Sequence, residues 1–167
     1  MLIVLEGIDG SGKTTLLKQL AEHDVQTVVG ENRFDVKSIR KYRRYYKQWH
    51  RSKKLYAVDR SYLTDLIYRS IDSGPAGLHT VSDMYKYQKC VDILIYCNSA
   101  NAFKNSMKRG EDNIVDITTS NKLRERYDFC VSIIKRYSNI KVLTYDYDNM
   151  SITDVLKFIR EVSDGIR

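Results

Sequence analysis

Short apolar runs alternate with segments of helical periodicity along most of this chain, and the first run covers residues 2–5. The runs have the length of strands, while the segments between them repeat apolar residues at the spacing of one helix face. This alternation predicts a three-layer α/β/α fold with a five-stranded parallel sheet. We predict strands over 2–6, 25–29, 54–58, 91–96 and 140–145, and helices over 13–23, 36–52, 61–72, 78–89, 99–108, 119–137 and 151–163.

The clearest interruption of this pattern lies at 73–77, Ser-Gly-Pro-Ala-Gly, which contains the only proline of the chain. Glycine and proline in this order are typical of a turn. No repeat, low-complexity segment or linker divides the sequence elsewhere. We therefore predict one domain over 1–167.

Residues 7–15 read Gly-Ile-Asp-Gly-Ser-Gly-Lys-Thr-Thr and directly follow the first strand. Such a loop turns successive backbone N–H groups toward phosphate oxygens, and the helix behind it adds its positive end. Lys13 then reaches the outer phosphates and the Thr14 hydroxyl ligates Mg²⁺. A structural glycine turn is the alternative. We predict a phosphate-binding P-loop for ATP and Mg²⁺, with these binding residues: Gly7, Asp9, Gly10, Ser11, Gly12, Lys13, Thr14 and Thr15.

The net charge of +7 is unevenly distributed, because the cationic residues are densest between Arg33 and Lys54 and above all over 40–47. A basic surface suits nucleotides, nucleic acid or acidic membranes. The run is either a solvated helix face or a wall that attracts phosphate on the acceptor side of the site. Both interpretations stay open.

The cysteines Cys90, Cys97 and Cys130 are odd in number and lack the spacing of metal ligands, so we interpret them as reduced packing residues. No apolar run is long enough to span a bilayer, and no signal segment precedes the first strand. We expect a cytoplasmic protein without a membrane partner.

A second chemical pair, Asp59-Arg60, follows the third predicted strand. Ligands of open parallel sheets bind at the carboxyl ends of the strands. An acid there can ligate Mg²⁺ or accept a proton from an attacking hydroxyl, and an arginine can hold a phosphate through its planar fork. The alternative is that Asp59 only caps the next helix.

Together, Glu6 to Thr15 and Asp59 to Tyr68 resemble the corresponding motifs of the thymidylate kinases. Thr64 and Tyr68 occupy the positions of that family's hydroxyl residue and tyrosine after the Asp-Arg pair. The related deoxynucleoside kinases have an acid-Arg-Ser version, which Ser61 completes here. The resemblance continues through 108–112, similar to the start of the family's lid, and through 123–127, similar to the segment after it.

This resemblance implies a P-loop kinase with a short lid at approximately 109–118. It implies that Asp9 faces the acceptor sugar, that Arg60 holds the acceptor's phosphate and that Tyr68 lies near the acceptor nucleotide. Asp59 serves the metal or the acceptor, and Arg109 lies beside the donor as the lid closes. The implied catalytic residues are Lys13, Asp59, Arg60 and Arg109.

Two departures from the family pattern concern the acceptor pocket and the lid. Gly30-Glu31-Asn32 replaces an Arg-Glu-Pro-like segment, and the stretch from there to Asp59 is short, so the pocket is reduced or rebuilt. Phe34 or Trp49 either stacks on a base or packs in the core. Candidates to line the pocket are Arg33, Phe34, Arg40, Arg43, Arg44 and Trp49.

In the lid, Asn113 follows Asp112 where the family has an arginine. A cation near the transferred phosphoryl group is worth orders of magnitude in rate. Other cations must then supply that charge, and the candidates are Lys108, Arg109, Arg124 and Arg126.

Three functions remain in competition. The first is transfer of the γ-phosphoryl of ATP to a deoxynucleoside monophosphate, with dTMP as the first candidate. The second is a deoxynucleoside kinase in which Asp59 acts as base toward a 5′-hydroxyl. The third is a polynucleotide 5′-kinase, or a P-loop protein that binds nucleic acid through its aromatic and cationic segment 40–51. The related kinases are commonly dimers, so a homodimer is an expectation.

Overall fold

A computed structural model describes residues 1–29, 44–61, 63–64, 67–68, 89–108 and 116–166. The strands are β1 (Leu2–Glu6), β2 (Gln26–Val29), β3 (Tyr56–Asp59), β4 (Ile93–Asn98) and β5 (Lys141–Asp146). The helices with described bounds are α1 (Lys13–Ala21), α2 (Ala102–Lys108), α3 (Ile117–Tyr137) and α4 (Ile152–Ile166). Residues 44–50, 63–64 and 67–68 are also helical.

The five strands form one parallel sheet in the order β2-β3-β1-β4-β5, which confirms the predicted α/β architecture. β1 lies in the centre, where Leu5 pairs with Asp59 of β3 on one side and with Ile95 of β4 on the other. Since all strands run the same way, their carboxyl ends meet at one edge of the sheet. The loops that follow β1, β3, β4 and β5 therefore converge there.

Alternate residues of β1 supply the cores on the two faces of the sheet. Leu2 and Val4 belong to a cluster completed by α3 and by helical residues 44–50. Ile3 and Leu5 belong to a second cluster, completed by α1 and α4. Every residue of β1 is buried, because helices cover both faces of the central strand.

The predicted strand bounds are right to within two residues, and β4 shows why they differ. The apolar pattern indicates 91–96, whereas β4 covers Ile93–Asn98. Its polar end remains paired because Cys97 and Asn98 lie opposite Tyr145 and Asp146 of β5. Partner strands therefore determine these bounds more than local hydrophobicity does.

Several sequence predictions fall wholly or partly outside the described residues. They include the turn at 73–77, most of the helix predicted over 78–89, the first part of the helix predicted over 36–52, and the lid from 109 to 115. Within the part of the chain that the structure describes, no helix is both long and apolar enough to cross a bilayer.

Candidate active site

The P-loop between β1 and α1 approaches other parts of the backbone very closely. Gly7 has a φ of +144° and Gly12 a φ of +92°, which side chains rarely tolerate. A Cβ on Gly7 would lie 2.2 Å from the Cys97 carbonyl oxygen, and one on Gly12 would lie 2.3 Å from the Tyr147 ring. Glycine is therefore required at both positions by conformation and by space.

The first turn of α1 is arranged for an anion. Its N-cap is Gly12, which provides no side-chain hydrogen bond, and the turn contains no acidic residue. The backbone N–H groups of Lys13, Thr14 and Thr15 therefore have no capping carboxylate, and the helix dipole adds positive potential. This is the arrangement that binds phosphate at a helix N-terminus.

The Lys13 ammonium folds back over the loop that precedes it. Its Nζ donates to the carbonyl oxygens of Gly7 at 2.8 Å and Ile8 at 2.7 Å, and it lies 3.4 Å from the Ser11 hydroxyl. Burial lowers the pKa of Lys13, and the charge of Arg60 lowers it further. Such a buried cation, held only by neutral oxygens, is well suited to exchange them for phosphate oxygens.

Asp59 combines deep burial with an oxygen that has no protein partner. Its Oδ1 is buried and has no hydrogen-bond partner among the described residues, and the nearby Thr14 side chain lowers the pKa of the carboxyl group. Burial raises the pKa of Asp59, and the charges of Lys13 and Arg60 oppose this rise. A carboxylate oxygen beside a threonine hydroxyl is the donor set that Mg²⁺ prefers, so the two residues fit the predicted metal site.

The described start of the helical segment after Asp59 is held by Ser61, whose hydroxyl accepts the Leu63 N–H at 3.1 Å. The helix-capping alternative for Asp59 stays open, because residue 62 lies outside the described residues.

Arg60 turns the chain sharply after β3 and forms an ion pair with Asp9. Its φ is +69°, a left-handed conformation that is costly for a residue with a side chain. Its backbone N–H is held by the Leu5 carbonyl at 2.9 Å, and its Nη2 donates to the Asp9 carboxylate. Burial is the largest single influence and disfavours the arginine charge, but Asp9, Tyr68, Tyr127 and Asp59 together outweigh it and raise the pKa of Arg60. The strained turn thus directs the guanidinium toward the P-loop.

Tyr68 completes this group from the helical segment after β3. Its Oη donates to the second Asp9 oxygen at 3.1 Å, and the Arg60 guanidinium lies 6.0 Å from the centre of its ring. Burial raises the pKa of Tyr68, and the Asp9 charge adds to the effect. The structure therefore brings together Asp9, Arg60 and Tyr68, as the sequence predicts.

Glu6 is a residue of this edge to which sequence reasoning assigned no role. It is fully buried, and its carboxylate accepts the Ser61 N–H at 2.9 Å, the Ser61 hydroxyl, the Thr64 hydroxyl at 2.6 Å and the Tyr127 hydroxyl at 3.2 Å. Burial raises the pKa of Glu6, while the hydrogen bonds from Ser61 and Thr64 lower it. An acid at the end of an apolar run is the sequence signal that indicates this site.

The turn after β5 contributes a second unpredicted residue, Tyr147. Its ring lies against Gly12, and its backbone N–H donates to the Asn98 carbonyl at 3.3 Å. Asp148 in the same turn accepts the Ser99 hydroxyl at 2.8 Å. The ends of β4 and β5 are thereby tied together beside the P-loop. Beyond its position after a predicted strand, Tyr147 has no local sequence signal.

α2 and α3 support this arrangement from the side. The Asn105 side chain donates to the Gly10 carbonyl at 3.3 Å, and Arg124 donates to the Ser99 carbonyl at 2.7 Å. Arg124 is one of the cations predicted to reach the transferred group, but this hydrogen bond holds it at the end of β4.

Several solved structures are similar to this one over nearly their whole length. The YorR protein of Bacillus subtilis, solved in complex with phosphorylated GDP, has a TM-score of 0.67 at 16% identity, over 98% of this chain and 96% of that one. Deoxyadenosine kinase from M. mycoides with bound dATP has a TM-score of 0.62 at 15% identity, over 98% and 100%. Thymidylate kinase from Ehrlichia chaffeensis has a TM-score of 0.55 at 16% identity, over 97% and 98%.

The chain has the fold of the thymidylate and deoxynucleoside kinases. At these identities the likeness concerns the fold, and no protein-family model matches the sequence. The resemblance inferred from the motifs is therefore confirmed at the level of structure.

Part of the predicted acceptor pocket lies outside the described residues, namely Arg33, Phe34, Arg40 and Arg43, and so do Arg109 and Asn113 of the predicted lid. Arg44 is described and exposed. Trp49 is stacked between Tyr45 and Tyr56, so of its two predicted fates the structure shows packing.

The three cysteines are free, as the sequence predicts. Cys97 is the one nearest the site: burial raises its pKa to about 12, which keeps its thiol protonated and weakly reactive. Among the described residues, no group of three or more histidine, cysteine, aspartate or glutamate side chains is placed to hold a metal ion. The predicted metal ligands, Thr14 and Asp59, would need phosphate oxygens and water to complete the coordination shell of Mg²⁺.

Proposed function

We propose that this protein transfers the γ-phosphoryl group of ATP to a deoxynucleoside monophosphate in a Mg²⁺-dependent reaction, with dTMP as the first candidate acceptor. The observation that carries the proposal is the convergence of four charges at one edge of the sheet. Lys13, Asp59, Arg60 and Asp9 lie close enough for each to influence the ionisation of another. Phosphoryl transfer depends on positioning and on neutralised charge, which such a cluster supplies.

On the donor side, the P-loop N–H groups hold the phosphates of ATP, and Lys13 exchanges the carbonyl oxygens of Gly7 and Ile8 for the transferred group. The Tyr147 ring beside Gly12 lies where it can border the donor nucleoside. Thr14 and Asp59 would hold Mg²⁺, which neutralises charge between the outer phosphates when it is bound.

On the acceptor side, Asp9 and Tyr68 orient the acceptor sugar, while Arg60 holds the acceptor's phosphate. An oxygen of that phosphate attacks the γ-phosphorus as the bond to the β,γ-bridging oxygen breaks, and ADP leaves. The ion pair with Asp9 keeps Arg60 extended toward the P-loop before the acceptor binds, which reduces the entropy lost on binding.

A deoxynucleoside kinase is the second candidate, and the same ion pair favours it. Because Asp9 already neutralises much of the Arg60 charge, the acceptor side does not require a phosphate. Asp59, whose pKa is raised by burial, would then accept the proton of a 5′-hydroxyl.

The deciding experiment measures ADP release with ATP and Mg²⁺ over a panel of nucleosides and their monophosphates, and identifies the products by ³¹P NMR. Saturable formation of dTDP from dTMP supports the proposal. Turnover of thymidine with no turnover of dTMP would replace it with the second candidate. The Lys13→Met variant is the control, because it keeps the length of the side chain and removes its ammonium, so that it abolishes only turnover that belongs to this site.

A further inference from the structure

The edge of the sheet opposite the active site carries a column of three aromatic rings. Trp49 lies between Tyr45, at 5.5 Å and 13° between ring planes, and Tyr56, at 5.7 Å and 20°. Tyr56 packs against the core, whereas the outermost ring, Tyr45, is 37% exposed. The column therefore ends in an aromatic ring at the surface.

Several contacts locate the segment after this helix at the amino ends of the strands. His50 Nδ1 lies 3.0 Å from a carboxylate oxygen of Asp92, the residue before β4, and that oxygen also accepts the Leu2 N–H at 2.7 Å. The Met1 nitrogen donates to the Lys54 carbonyl at 3.2 Å. The P-loop and Asp59 lie at the carboxyl ends of the strands, on the opposite edge of the sheet. This surface is therefore separate from the proposed catalytic site.

The same segment is strongly cationic. Residues 44–54 contain no acid, and their cationic side chains are all exposed: Arg44, Lys47, Arg51, Lys53 and Lys54. Burial raises the pKa of Cys90, which lies just before β4, and the nearby charges of Lys47 and Arg51 oppose that rise. Lys47 and Arg51 are one helical turn apart, so they lie on the same side of this segment, the side near Cys90 at the amino ends of the strands.

Among the described residues, Asp92 is the acid that contacts this segment. Asp92 is held by His50 and by the Leu2 N–H. Glu22 and Asp24 precede β2 on the same edge of the sheet and belong to a different segment. The segment from 44 to 54 thus presents positive charge around an exposed ring.

We infer that this basic aromatic surface, formed by Tyr45, Lys47, Arg51 and Lys53, binds single-stranded nucleic acid. A base stacks on the outer face of Tyr45 and extends the column, and the phosphates beside it contact the cations. Single strands provide unpaired aromatic faces together with regularly spaced phosphates, which is the combination that such surfaces bind. A duplex has its base faces stacked internally, so it can use only the charges.

The test measures fluorescence anisotropy of a labelled 20-nucleotide single strand of mixed sequence, with the whole chain, over a series of salt concentrations. Saturating ATP and Mg²⁺ are added in a parallel series to fill the P-loop. We expect binding that persists in ATP, weakens steeply with salt and is at least about tenfold tighter than binding of the matching duplex.

The charge contribution is tested with the triple variant K47Q/R51Q/K53Q. Each phosphate contact adds about 0.7 to the slope of log affinity against log salt for single strands, so loss of three contacts lowers the slope by about 2. The matched control is K122Q/K157Q/R160Q, which removes three exposed cations from α3 and α4 and changes the net charge equally. The control keeps the slope.

The stacking contribution is tested with Tyr45→Leu, which keeps an apolar contact on Trp49 and removes the aromatic face. We expect an affinity about tenfold lower, whereas Tyr45→Phe keeps wild-type affinity. Thermal unfolding and kinase turnover of each variant check that the fold and the opposite edge are unchanged.

Three results would overturn the inference. They are an absence of binding at low salt, complete displacement by ATP, and equal loss of binding in the two triple variants. The second result would assign nucleic acid to the P-loop site itself. Since none of these measurements depends on the acceptor of phosphoryl transfer, failure here leaves the proposed kinase activity untouched.

Discussion

The ends of β1 and β3 each bear a buried carboxylate, and the two differ in what surrounds them. Glu6 at the end of β1 is surrounded by neutral donors from Ser61, Thr64 and Tyr127, which use both of its oxygens. Asp59 at the end of β3 lies beside Lys13 and has a buried oxygen without a partner among the described residues. Burial raises the pKa of both acids, but hydrogen bonds oppose it at Glu6 and charges oppose it at Asp59.

We infer that this difference separates a structural acid, Glu6, from one with a proposed functional role, Asp59. A buried carboxylate whose hydrogen bonds are satisfied by the protein stabilises the fold. A buried carboxylate with an open oxygen beside cations costs stability, and such a cost is typical of groups retained for binding or catalysis. We therefore expect substitution of Glu6 to affect mainly stability, and substitution of Asp59 to affect mainly activity.

The largest effect is expected from Glu6→Ala. It leaves the hydroxyls of Ser61, Thr64 and Tyr127 buried without their acceptor, which lowers the free energy of unfolding by about 3 kcal/mol. Chemical denaturation measures this loss. Glu6→Gln retains one oxygen acceptor and should lose only about 1 kcal/mol. Equal losses in the two variants would contradict the structural role of the hydrogen bonds.

Asp59→Asn should produce the opposite profile. We expect kcat/KM to fall about 100-fold, or about 2.7 kcal/mol of transition-state stabilisation, with a higher Mg²⁺ requirement. The thermal unfolding temperature should stay the same or rise, because a buried charge is removed. Kinetics at several Mg²⁺ concentrations, together with thermal unfolding, measure both effects. Wild-type turnover in this variant would show that the open oxygen has no catalytic use.

Tyr68→Phe tests the hydrogen bond that joins the helical segment after β3 to Asp9 in the loop after β1. Removal of the hydroxyl that donates to Asp9 should raise KM for the acceptor about tenfold and leave KM for ATP unchanged. Tyr96→Phe is the matched control, since it removes the hydroxyl of a buried tyrosine near Asp128, away from the acceptor group. A change of KM for ATP in Tyr68→Phe would contradict the assignment of this residue to the acceptor.

The smallest effect concerns pH. Because burial raises the folded-state pKa of Glu6 above 4.5, the stability associated with its protonated form is complete below that pH and is lost as pH rises through the folded pKa. The free energy of unfolding of the wild type should therefore fall relative to that of Glu6→Gln as pH increases. Urea denaturation of both proteins between about pH 4 and pH 8 measures the difference. If the free energy of unfolding of the wild type instead rose relative to that of Glu6→Gln as pH increased, burial could not be the dominant cause.

The parts of this site that follow from short stretches of sequence were predictable. The P-loop depends on neighbouring residues and on the apolar run before it, so Lys13 and Thr14 could be assigned directly. Asp59-Arg60 follows a strand whose end is predictable to within two residues. The ion pair of Arg60 with Asp9 did not follow from either motif alone, because it requires β1 and β3 to be neighbours in the sheet.

Other parts depend on contacts between distant segments and were not predictable. The environment of Glu6 is created by Ser61, Thr64 and Tyr127, the last of which lies on α3. Tyr147 meets Gly12 only because β5 and β1 are brought to the same edge of the sheet. The sequence left open whether Trp49 stacks on a base or packs in the core. Its packing is determined by the rings of Tyr45 and Tyr56, which lie on either side of it.

Two of the tight glycines of the P-loop, Gly7 and Gly12, have a consequence for how the chain assembles. Gly7 lies against Cys97 at the end of β4, and Gly12 lies against Tyr147 in the turn after β5. Both of these close contacts are therefore made with the C-terminal half of the chain. The proposed nucleotide site is therefore built from both halves of the chain. A chain cut between Tyr68 and Lys89 into two fragments should bind ATP only when the fragments recombine, which makes nucleotide affinity a direct reporter of fragment complementation.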